Sequence, residues 1–173
     1  MRLVIDPGHG HPYTGVVYED KVEADAAFEL AKTLKWVLLE ELNVGFKVLL
    51  TRTDGMFVPF HKRTGIPADL LLSIHFDIPN GGMPIYYQQC RDDSAYVAHR
   101  LRILTGNRNP VWSTKRAAHQ GGRLYIDDAH HVAVLWEADT IDNYKHTKEY
   151  RLSLARPMAK AVQEVMNELA VYF

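Results

Sequence analysis

The sequence contains little cysteine. Cys90 is the only one in 173 residues, which excludes an intramolecular disulfide and a zinc site built from several thiolates. Histidines and carboxylates are then the ligands left for a metal ion. Long apolar runs are also missing: no stretch approaches the roughly 20 residues that cross a bilayer, and no basic and apolar leader precedes the first predicted strand. We therefore expect a protein that is made in the cytoplasm without a signal peptide or transmembrane segment.

An excess of charge of either sign is missing too. The chain has 20 Lys and Arg against 21 Asp and Glu, a formal net charge of -1 at pH 7. Without a basic field, nucleic acid is not an expected partner, and we expect no membrane insertion. A composition of 47% hydrophobic and 24% charged residues is that of a soluble globular protein. The length suits one domain over residues 1–173, and a monomer is favoured.

What the chain does have is an alternation of strand and helix patterns. Leu3–Ile5 is a short apolar run that ends at the breakers of Asp6–Gly10, the letters DPGHG. Apolar residues at three- and four-residue steps predict one amphipathic helix from Glu19 to near Asn43. A second strand is predicted at Phe46–Thr51, and this order of strand, helix and strand predicts that the two strands are parallel.

The rest of the chain continues the alternation. Near-continuous apolar character at Leu70–His75 predicts a central strand that is covered on both faces. Further strands and helices are predicted at Pro84–Gln89, Ser94–Thr105, Arg123–Ile126, Val132–Glu137 and Ala155–Leu169, with Pro157 either starting or kinking the last helix. The expected fold is α/β: a single domain with a mostly parallel central sheet of about five to six strands and helices on both faces.

Two stretches have no clear periodicity. Residues 56–67 are interpreted as a loop or a short helical piece whose His61, Lys62 and Arg63 are solvated. Residues 107–122, which include His119, are interpreted as a long surface loop. Such loops in compact domains are often functional, so Trp112 and Arg116 are candidates to line a substrate groove.

Side chains that can carry chemistry stand at the carboxyl ends of three predicted strands. His9 lies on the loop after the first strand, His75 ends the central strand, and Glu137 ends the strand near the C-terminus. Open α/β sheets place ligands at this edge. The glycine-rich loop around His9 also fits a phosphate cradle or a plain turn. A carboxylate placed like Glu137 has to face solvent, a cation or a metal-bound water.

Acidic side chains near these strand ends complete the candidates. Glu19 and Glu23 stand at the start of the first helix, where negative charge is also simply favourable. Asp77 is either a partner that orients His75 or the first residue of a turn. Two histidines and one carboxylate form the ligand set of a catalytic zinc ion with a position open for water, and a further glutamate can carry a proton to a leaving amine. These residues indicate a metal-dependent amide hydrolase.

Four stretches, in this order, resemble the motifs of a known family: LVIDPGHG, LLTR, ADLLLSIHFD and VLWEADTIDN, which are Leu3–Gly10, Leu49–Arg52, Ala68–Asp77 and Val134–Asn143. The family is the zinc-dependent N-acetylmuramoyl-L-alanine amidases, which cleave the bond between the lactyl group of muramic acid and the first L-alanine of the peptidoglycan stem. The resemblance spans nearly the whole chain. It implies a hydrolase with Zn²⁺ as cofactor and peptidoglycan, a polymer of muropeptides, as substrate.

The resemblance also implies roles for single residues. His9 is similar in position to the family's first zinc ligand, and His75 to its third. The second ligand is a glutamate followed by apolar residues in a frame that fits Glu23 rather than Glu19. Glu137 resembles the catalytic glutamate, the general base and acid. Further candidates, which would support the ligands or contact the substrate, are Asp6, Arg63 and Asp77.

The sequence departs from the family's pattern at two places. Asp139 and Thr140 stand where a Gly-Phe pair usually follows the catalytic glutamate, and the Ala-Asn pair that commonly follows the family's arginine is missing after Arg63. Phage endolysins of the family also lack an export signal, so the resemblance implies a phage or prophage lysis enzyme without a separate wall-binding domain, released to the cell wall during lysis. The alternatives are a zinc peptidase that cleaves the stem peptide and a non-catalytic module of the same fold that binds the wall or a phosphate.

Overall fold

The centre of the computed structural model, which describes residues 1–106, 108–118 and 124–172, is a six-stranded sheet. The strands in chain order are β1 (Arg2–Pro7), β2 (Val17–Tyr18), β3 (Lys21–Val22), β4 (Lys47–Leu50), β5 (Leu70–Asp77), β6 (Ile85–Tyr87), β7 (Val111–Ser113) and β8 (Val132–Thr140). The order across the sheet is β4-β1-β5-β8-β6-β7, and β6 with β8 is its one antiparallel pair. A separate antiparallel hairpin joins β2 and β3. The mostly parallel α/β sheet expected from the sequence is confirmed.

Helical elements lie on both faces of the sheet, with the long helices on one of them. They are α1 (Glu23–Trp36), α2 (Phe60–Thr64), α3 (Asp92–Leu104), α4 (Thr114–Ala118) and α5 (Lys148–Tyr172), with a π-helical turn at Val37–Glu41 and a 3-10 turn at Tyr125–Asp128. The long helices α1, α3 and α5 enclose the larger core on one face, and the 3-10 turn covers the smaller core on the other. None of the helices in the described ranges is long and apolar enough to cross a membrane.

The central strands show why their sequence is so apolar. In β1, Leu3 and Ile5 belong to the larger core while Val4 belongs to the smaller one, because successive side chains of a strand point to opposite faces. In β5, every residue from Leu70 to Phe76 is buried. A strand that is covered on both faces therefore loses the alternation of apolar and polar residues, as predicted, and its carboxyl end lies inside the protein.

The first helix begins later than predicted. Residues 17–22 form the β2–β3 hairpin, and α1 starts at Glu23 instead of Glu19. Glu19 adopts a φ of 53° at the tip of this hairpin, a left-handed conformation that cannot continue into a helix. Pro157 lies inside α5, which begins at Lys148, so this proline does not start the last helix.

The interpretation of residues 107–122 as one long loop is wrong for its described part, which contains β7 and α4. The three-residue strand β7 pairs with β6, and this pairing is a tertiary contact that a short sequence pattern does not reveal. The strand predicted at 123–126 is also wrong for residues 124–126. Tyr125 and Ile126 are adjacent yet both are buried in the smaller core, which the 3-10 turn permits and an alternating strand does not. His119 and Arg123 lie outside the described residues.

The interpretation of Arg63 as solvated is wrong. Residues 60–64 form the helix α2, in agreement with the short helical piece that was one of the two interpretations of residues 56–67. The Arg63 side chain on this helix, however, is 0% exposed. His61 and Lys62 on the same helix are exposed. A buried arginine needs partners for its charge and its donors, and these come from residues far away in the sequence.

Candidate metal centre

Three ligand side chains from three separate elements meet at the carboxyl edge of the sheet. The Nε2 atom of His9 lies 3.2 Å from Oε2 of Glu23, and Nδ1 of His75 lies 2.9 Å from Oε1 of Glu23. Their candidate ligand atoms all lie within 4.8 Å of one another. The two imidazole rings meet edge to face with centroids 4.9 Å apart. The sequence placed His9 and His75 at strand ends, and the structure brings Glu23 between them.

The fold holds each of these side chains by a different device. His9 follows β1 and has a φ of 59°, an uncommon conformation for a residue other than glycine. Glu23 is the first residue of α1, and its carboxylate accepts hydrogen bonds from the backbone N–H groups of Val16 at 3.0 Å and Phe76 at 3.3 Å. His75 belongs to the buried strand β5. The strand, the loop and the helix thus bring their three side chains together, although no local sequence pattern indicates that these residues are neighbours.

Two glycines leave the space that the ligand side chains occupy. A Cβ atom on Gly8 would lie 2.5 Å from Cε1 of His75, and one on Gly15 would lie 2.6 Å from Cδ2 of His9 and overlap Oε2 of Glu23. Gly15 also has a φ of +73°. Gly8 belongs to the first motif of the sequence, whereas Gly15 carried no signal because its role depends on two residues that fold against it.

The environment of Glu23 favours its ionised form. Burial would raise the pKa of this carboxyl, but hydrogen bonds and positive charge from His75 and His9 outweigh burial and bring the pKa well below its ordinary value of 4.5. Glu23 therefore carries a negative charge over the whole physiological pH range. A permanent carboxylate between two imidazoles suits the binding of a divalent cation.

Glu137 stands beside this cluster, and its pKa is shifted in the opposite direction. It lies in β8 directly opposite His75 of β5, and its Oε2 is buried with no hydrogen-bond partner among the described residues. Burial, together with the negative charges of Glu23 and Asp77, raises the pKa of Glu137 well above 4.5. Two glutamates in one cleft thus differ in their tendency to hold a proton, a pattern typical of acid and base pairs in enzymes.

The donor set fits a divalent transition metal ion. Two imidazoles and one carboxylate match three-ligand zinc sites that leave a position open, and Nε2 of His75 is buried without a hydrogen-bond partner in the described part of the chain. A buried polar atom of this kind is rare in proteins and calls for a partner such as an ion or a water. His9, Glu23 and His75 are therefore the residues that would hold the metal.

The remaining candidate residues occupy distinct places. The carboxylate of Asp77 accepts hydrogen bonds from the N–H groups of Ile78 at 2.8 Å and Met83 at 2.9 Å, so it closes the turn after β5, the second of the two alternatives for this residue. Asp6 and Arg63 are both 0% exposed and lie 3.5 Å apart beneath the His9 loop. Glu19 is exposed on the β2–β3 hairpin.

A cleft of about 520 Å³ opens over the metal-ligand cluster and Glu137. One of its walls is aromatic and contains Tyr13, Phe57, Phe60 and Tyr125. These four rings form a continuous row with centroid distances of 4.9, 5.6 and 4.8 Å. Sequence patterns did not single out this wall. Trp112 and Arg116 are the residues that the sequence suggested for a substrate groove. The Cζ atom of Arg116 lies 4.0 Å from the centroid of the Trp112 ring, and neither residue lines the cleft.

The fold and the site define a class: an α/β domain with a candidate divalent-metal centre and a protonatable glutamate in one open cleft. The model of the family described as N-acetylmuramoyl-L-alanine amidase matches residues 3–168. The chain therefore belongs to the N-acetylmuramoyl-L-alanine amidase family, as the resemblance of its motifs implied.

Known proteins agree with this assignment. The chain is 28% identical over 178 residues to the Staphylococcus aureus protein named "Probable cell wall amidase LytH", an alignment that covers 99% of this chain and 58% of that protein. This chain therefore spans little more than half the length of the relative it matches.

Solved structures share the fold. The catalytic domain of CwlV, an N-acetylmuramoyl-L-alanine amidase from Bacillus (Paenibacillus) polymyxa var. colistinus, is 22% identical with a TM-score of 0.78, covering 96% of this chain and 98% of that one. An N-acetylmuramoyl-L-alanine amidase from Clostridium difficile 630 is 21% identical with a TM-score of 0.77, covering 96% of each chain.

Proposed function

We propose that this chain is a zinc-dependent N-acetylmuramoyl-L-alanine amidase, which hydrolyses the amide bond between the lactyl group of N-acetylmuramic acid and the L-alanine of the peptidoglycan stem peptide. The observation that carries the proposal is the presence of His9, Glu23, His75 and Glu137 in one cleft. Membership of the amidase family and the name of the Staphylococcus aureus relative support the choice of substrate.

The chain prepares the three ligands for a cation. A divalent ion held by His9, Glu23 and His75 would polarise the scissile carbonyl and lower the pKa of a water molecule. Glu23 is already ionised because the two histidines lower its pKa, so no proton has to leave this carboxylate when an ion binds. Gly8 and Gly15 keep the space for the ligand side chains open.

Glu137 is the residue that moves the proton in this proposal. Hydrolysis breaks the C–N bond of the amide, forms a C–O bond from water, and leaves one proton of the water on the nitrogen of L-alanine. Glu137 accepts this proton from the water and delivers it to the departing nitrogen. Burial and the charges of Glu23 and Asp77 raise the pKa of Glu137. The shift moves the carboxyl toward the range in which a group can take a proton from the water and give it up again to the nitrogen.

The aromatic wall is assigned to the sugar side of the substrate. Tyr13 and Phe60 are 64% and 50% exposed, which leaves large apolar surfaces at the rim of the cleft. Exposed apolar surface of this extent beside a site marks a place where a ligand binds. The C–H faces of a pyranose ring and the methyl of its N-acetyl group offer complementary apolar area.

Digestion of purified peptidoglycan tests the activity. The amidase is expected to release intact stem peptides that begin with L-alanine, which mass spectrometry identifies, and a chelator should abolish the release. Shorter peptides with an internal bond cleaved would instead show a zinc peptidase. Sedimentation of the chain with the walls, with no released peptide and no effect of the chelator, would show a binding module.

A role in phage or prophage lysis stays a prediction of the sequence. Production of the chain inside bacterial cells tests it. A lysis enzyme of this kind should leave the cells intact until the membrane is opened, and then lyse them within minutes. Lysis at the same rate without opening of the membrane would contradict this role.

A further inference from the structure

Two buried arginines contact the backbone of the loop that carries His9. Arg63 donates from Nη2 to the carbonyl of His9 at 2.5 Å and from Nη1 to the carbonyl of Pro7 at 3.3 Å. Arg52 donates from Nη2 to the carbonyl of Gly8 at 3.1 Å. The carbonyl oxygens of three successive residues, Pro7 to His9, therefore all accept hydrogen bonds from a guanidinium group.

The same arginines connect this loop to the rest of the site. Nη2 of Arg52 also donates to the carbonyl of Ala24 at 2.7 Å, the residue after Glu23 in the first turn of α1. Nε of Arg63 donates to the carbonyl of Val58 at 2.6 Å, next to the aromatic wall. Arg52 thus joins the His9 loop to the helix that supplies Glu23, and Arg63 joins it to the segment before α2.

The burial of these groups makes the arrangement rigid. Arg63 is 0% exposed and Arg52 is 3% exposed. Asp6, also 0% exposed, lies 3.5 Å from Arg63 and accepts further hydrogen bonds from Thr51 and Tyr125. Any movement of the loop would leave guanidinium donors without partners in the interior, which costs far more than the loss of an exposed hydrogen bond.

His9 needs such support. Its φ of 59° is unfavourable for a residue with a side chain, and conformations of this kind persist only where the surroundings fix them. The hydrogen bond from Arg63 to the His9 carbonyl restrains the peptide group at the strained residue itself. The conformation in turn points the imidazole at Glu23, 3.2 Å from its Oε2.

We propose that Arg63 and Arg52 are positioning residues for the metal centre: through the carbonyls of Pro7, Gly8 and His9 they hold the His9 imidazole in register with Glu23 and His75. The inference rests on the proposed function, since it concerns the affinity of that site for its ion. In this scheme both arginines act on the metal ligands through the backbone of the His9 loop.

The test compares zinc affinities of the whole chain and its variants. Zinc is titrated into metal-free protein in competition with a chromophoric chelator, and the absorption spectrum of the cobalt-loaded protein reports the coordination geometry. Arg63→Lys keeps the positive charge near Asp6 but has one ammonium in place of a planar fork, so it cannot reach three separated carbonyls. We expect zinc to bind this variant about 10- to 100-fold more weakly, with an altered cobalt spectrum, and Arg52→Lys to behave alike.

Thr51→Val is the matched control. It removes a hydrogen bond to the same buried carboxylate, Asp6, without touching the His9 loop, so it should lower the urea midpoint but keep the parent's zinc affinity. If Arg63→Lys is only partly folded without metal, the rise in its Tm on addition of zinc gives the affinity. Parent-like zinc affinity in Arg63→Lys, or an equal loss in Thr51→Val, would overturn the inference. A parent chain that binds no zinc would instead refute the metal centre itself.

Discussion

Glu137 of β8 lies directly opposite His75 of β5 in the parallel register of the two central strands. The carboxyl of Glu137 therefore meets the cluster of His9, Glu23 and His75 at the same edge of the sheet, with its Oε2 buried. Because His75 and Glu137 are register partners on adjacent parallel strands, the pairing of β5 with β8 brings the candidate proton carrier to the candidate metal ligands.

Replacement of Glu137 by Gln tests its role as the proton carrier. The amide keeps the size of the side chain but cannot exchange the proton, so kcat on peptidoglycan should fall by about 10²- to 10⁴-fold while zinc still binds with the affinity of the parent. Initial rates and a zinc titration measure the two effects. Glu164→Gln, the same change at an exposed position of α5, is the control and should be fully active. Retained activity in Glu137→Gln would remove this residue from the chemistry.

Replacement of Gly15 by Ala tests the space requirement of the site. The new Cβ would lie 2.6 Å from the His9 ring and would overlap the Glu23 carboxylate, at a φ of +73°. We expect zinc to bind at least about tenfold more weakly, because displaced ligands lose their common geometry. Gly45→Ala is the control, since a Cβ there meets nothing within 4 Å. Equal zinc affinities in the two variants, measured by chelator competition, would show that the close approach at Gly15 has no effect on the site.

Replacement of Tyr13 by Ala tests the aromatic wall. The ring is 64% exposed and contacts Phe57 at a centroid distance of 4.9 Å, so its loss should leave folding unaffected and raise KM for a muropeptide about two- to tenfold, the worth of one aromatic contact. A substrate that carries the lactyl-peptide without the sugar should show no such change. Trp36→Ala, which removes an exposed ring from α1, serves for comparison. An equal effect on both substrates would contradict the assignment of this wall to the sugar.

His131 makes the stability of the fold depend on pH. Burial, with the nearby positive charges of Arg91 and His130, lowers the pKa of His131 below its ordinary value of 6.5. The unfolded chain then takes up a proton at His131 more readily than the folded chain. The contribution of His131 to the free energy of unfolding is therefore complete above about pH 6.5 and falls as the pH drops toward the lower pKa of the folded state.

Urea unfolding between pH 5.5 and 7.5 measures this dependence. The midpoint of the parent chain should fall more steeply on acidification than that of His131→Gln, which has no titrating group at this position. His61→Gln changes an exposed histidine of α2 and should keep the slope of the parent. Parallel pH profiles for the parent and His131→Gln would contradict the shift.

The sequence predicted the parts of the site that are local. The pattern of β5, with apolar residues at Leu70, Leu71, Leu72 and Ile74, predicted a central strand and hence the place of His75. In the same way, the motif around His9 and the apolar strand that contains Glu137 predicted where these two side chains lie. The sequence pattern succeeded here because burial on both faces favours apolar side chains along most of the strand, and this preference is visible without a structure.

Other parts depended on contacts between distant residues. The sequence predicts solvated side chains for His61, Lys62 and Arg63, yet the partners of Arg63 are the backbone of the His9 loop and Asp6. The strand β7 exists because it pairs with β6. Hydrogen bonds of this kind join residues by their positions in space, so no pattern of neighbouring letters records them.

The sequence by itself determined the α/β sheet, the strand ends that carry His9, His75 and Glu137, and the family of the chain, because these follow from the apolar character of single segments and from short motifs. Only the tertiary structure decided that Glu23 lies between the two histidines, that Gly15 makes room for them, and that two buried arginines hold the loop of His9. The physical reason is that each of these depends on side chains and carbonyls that meet only when helix, loop and strand pack together.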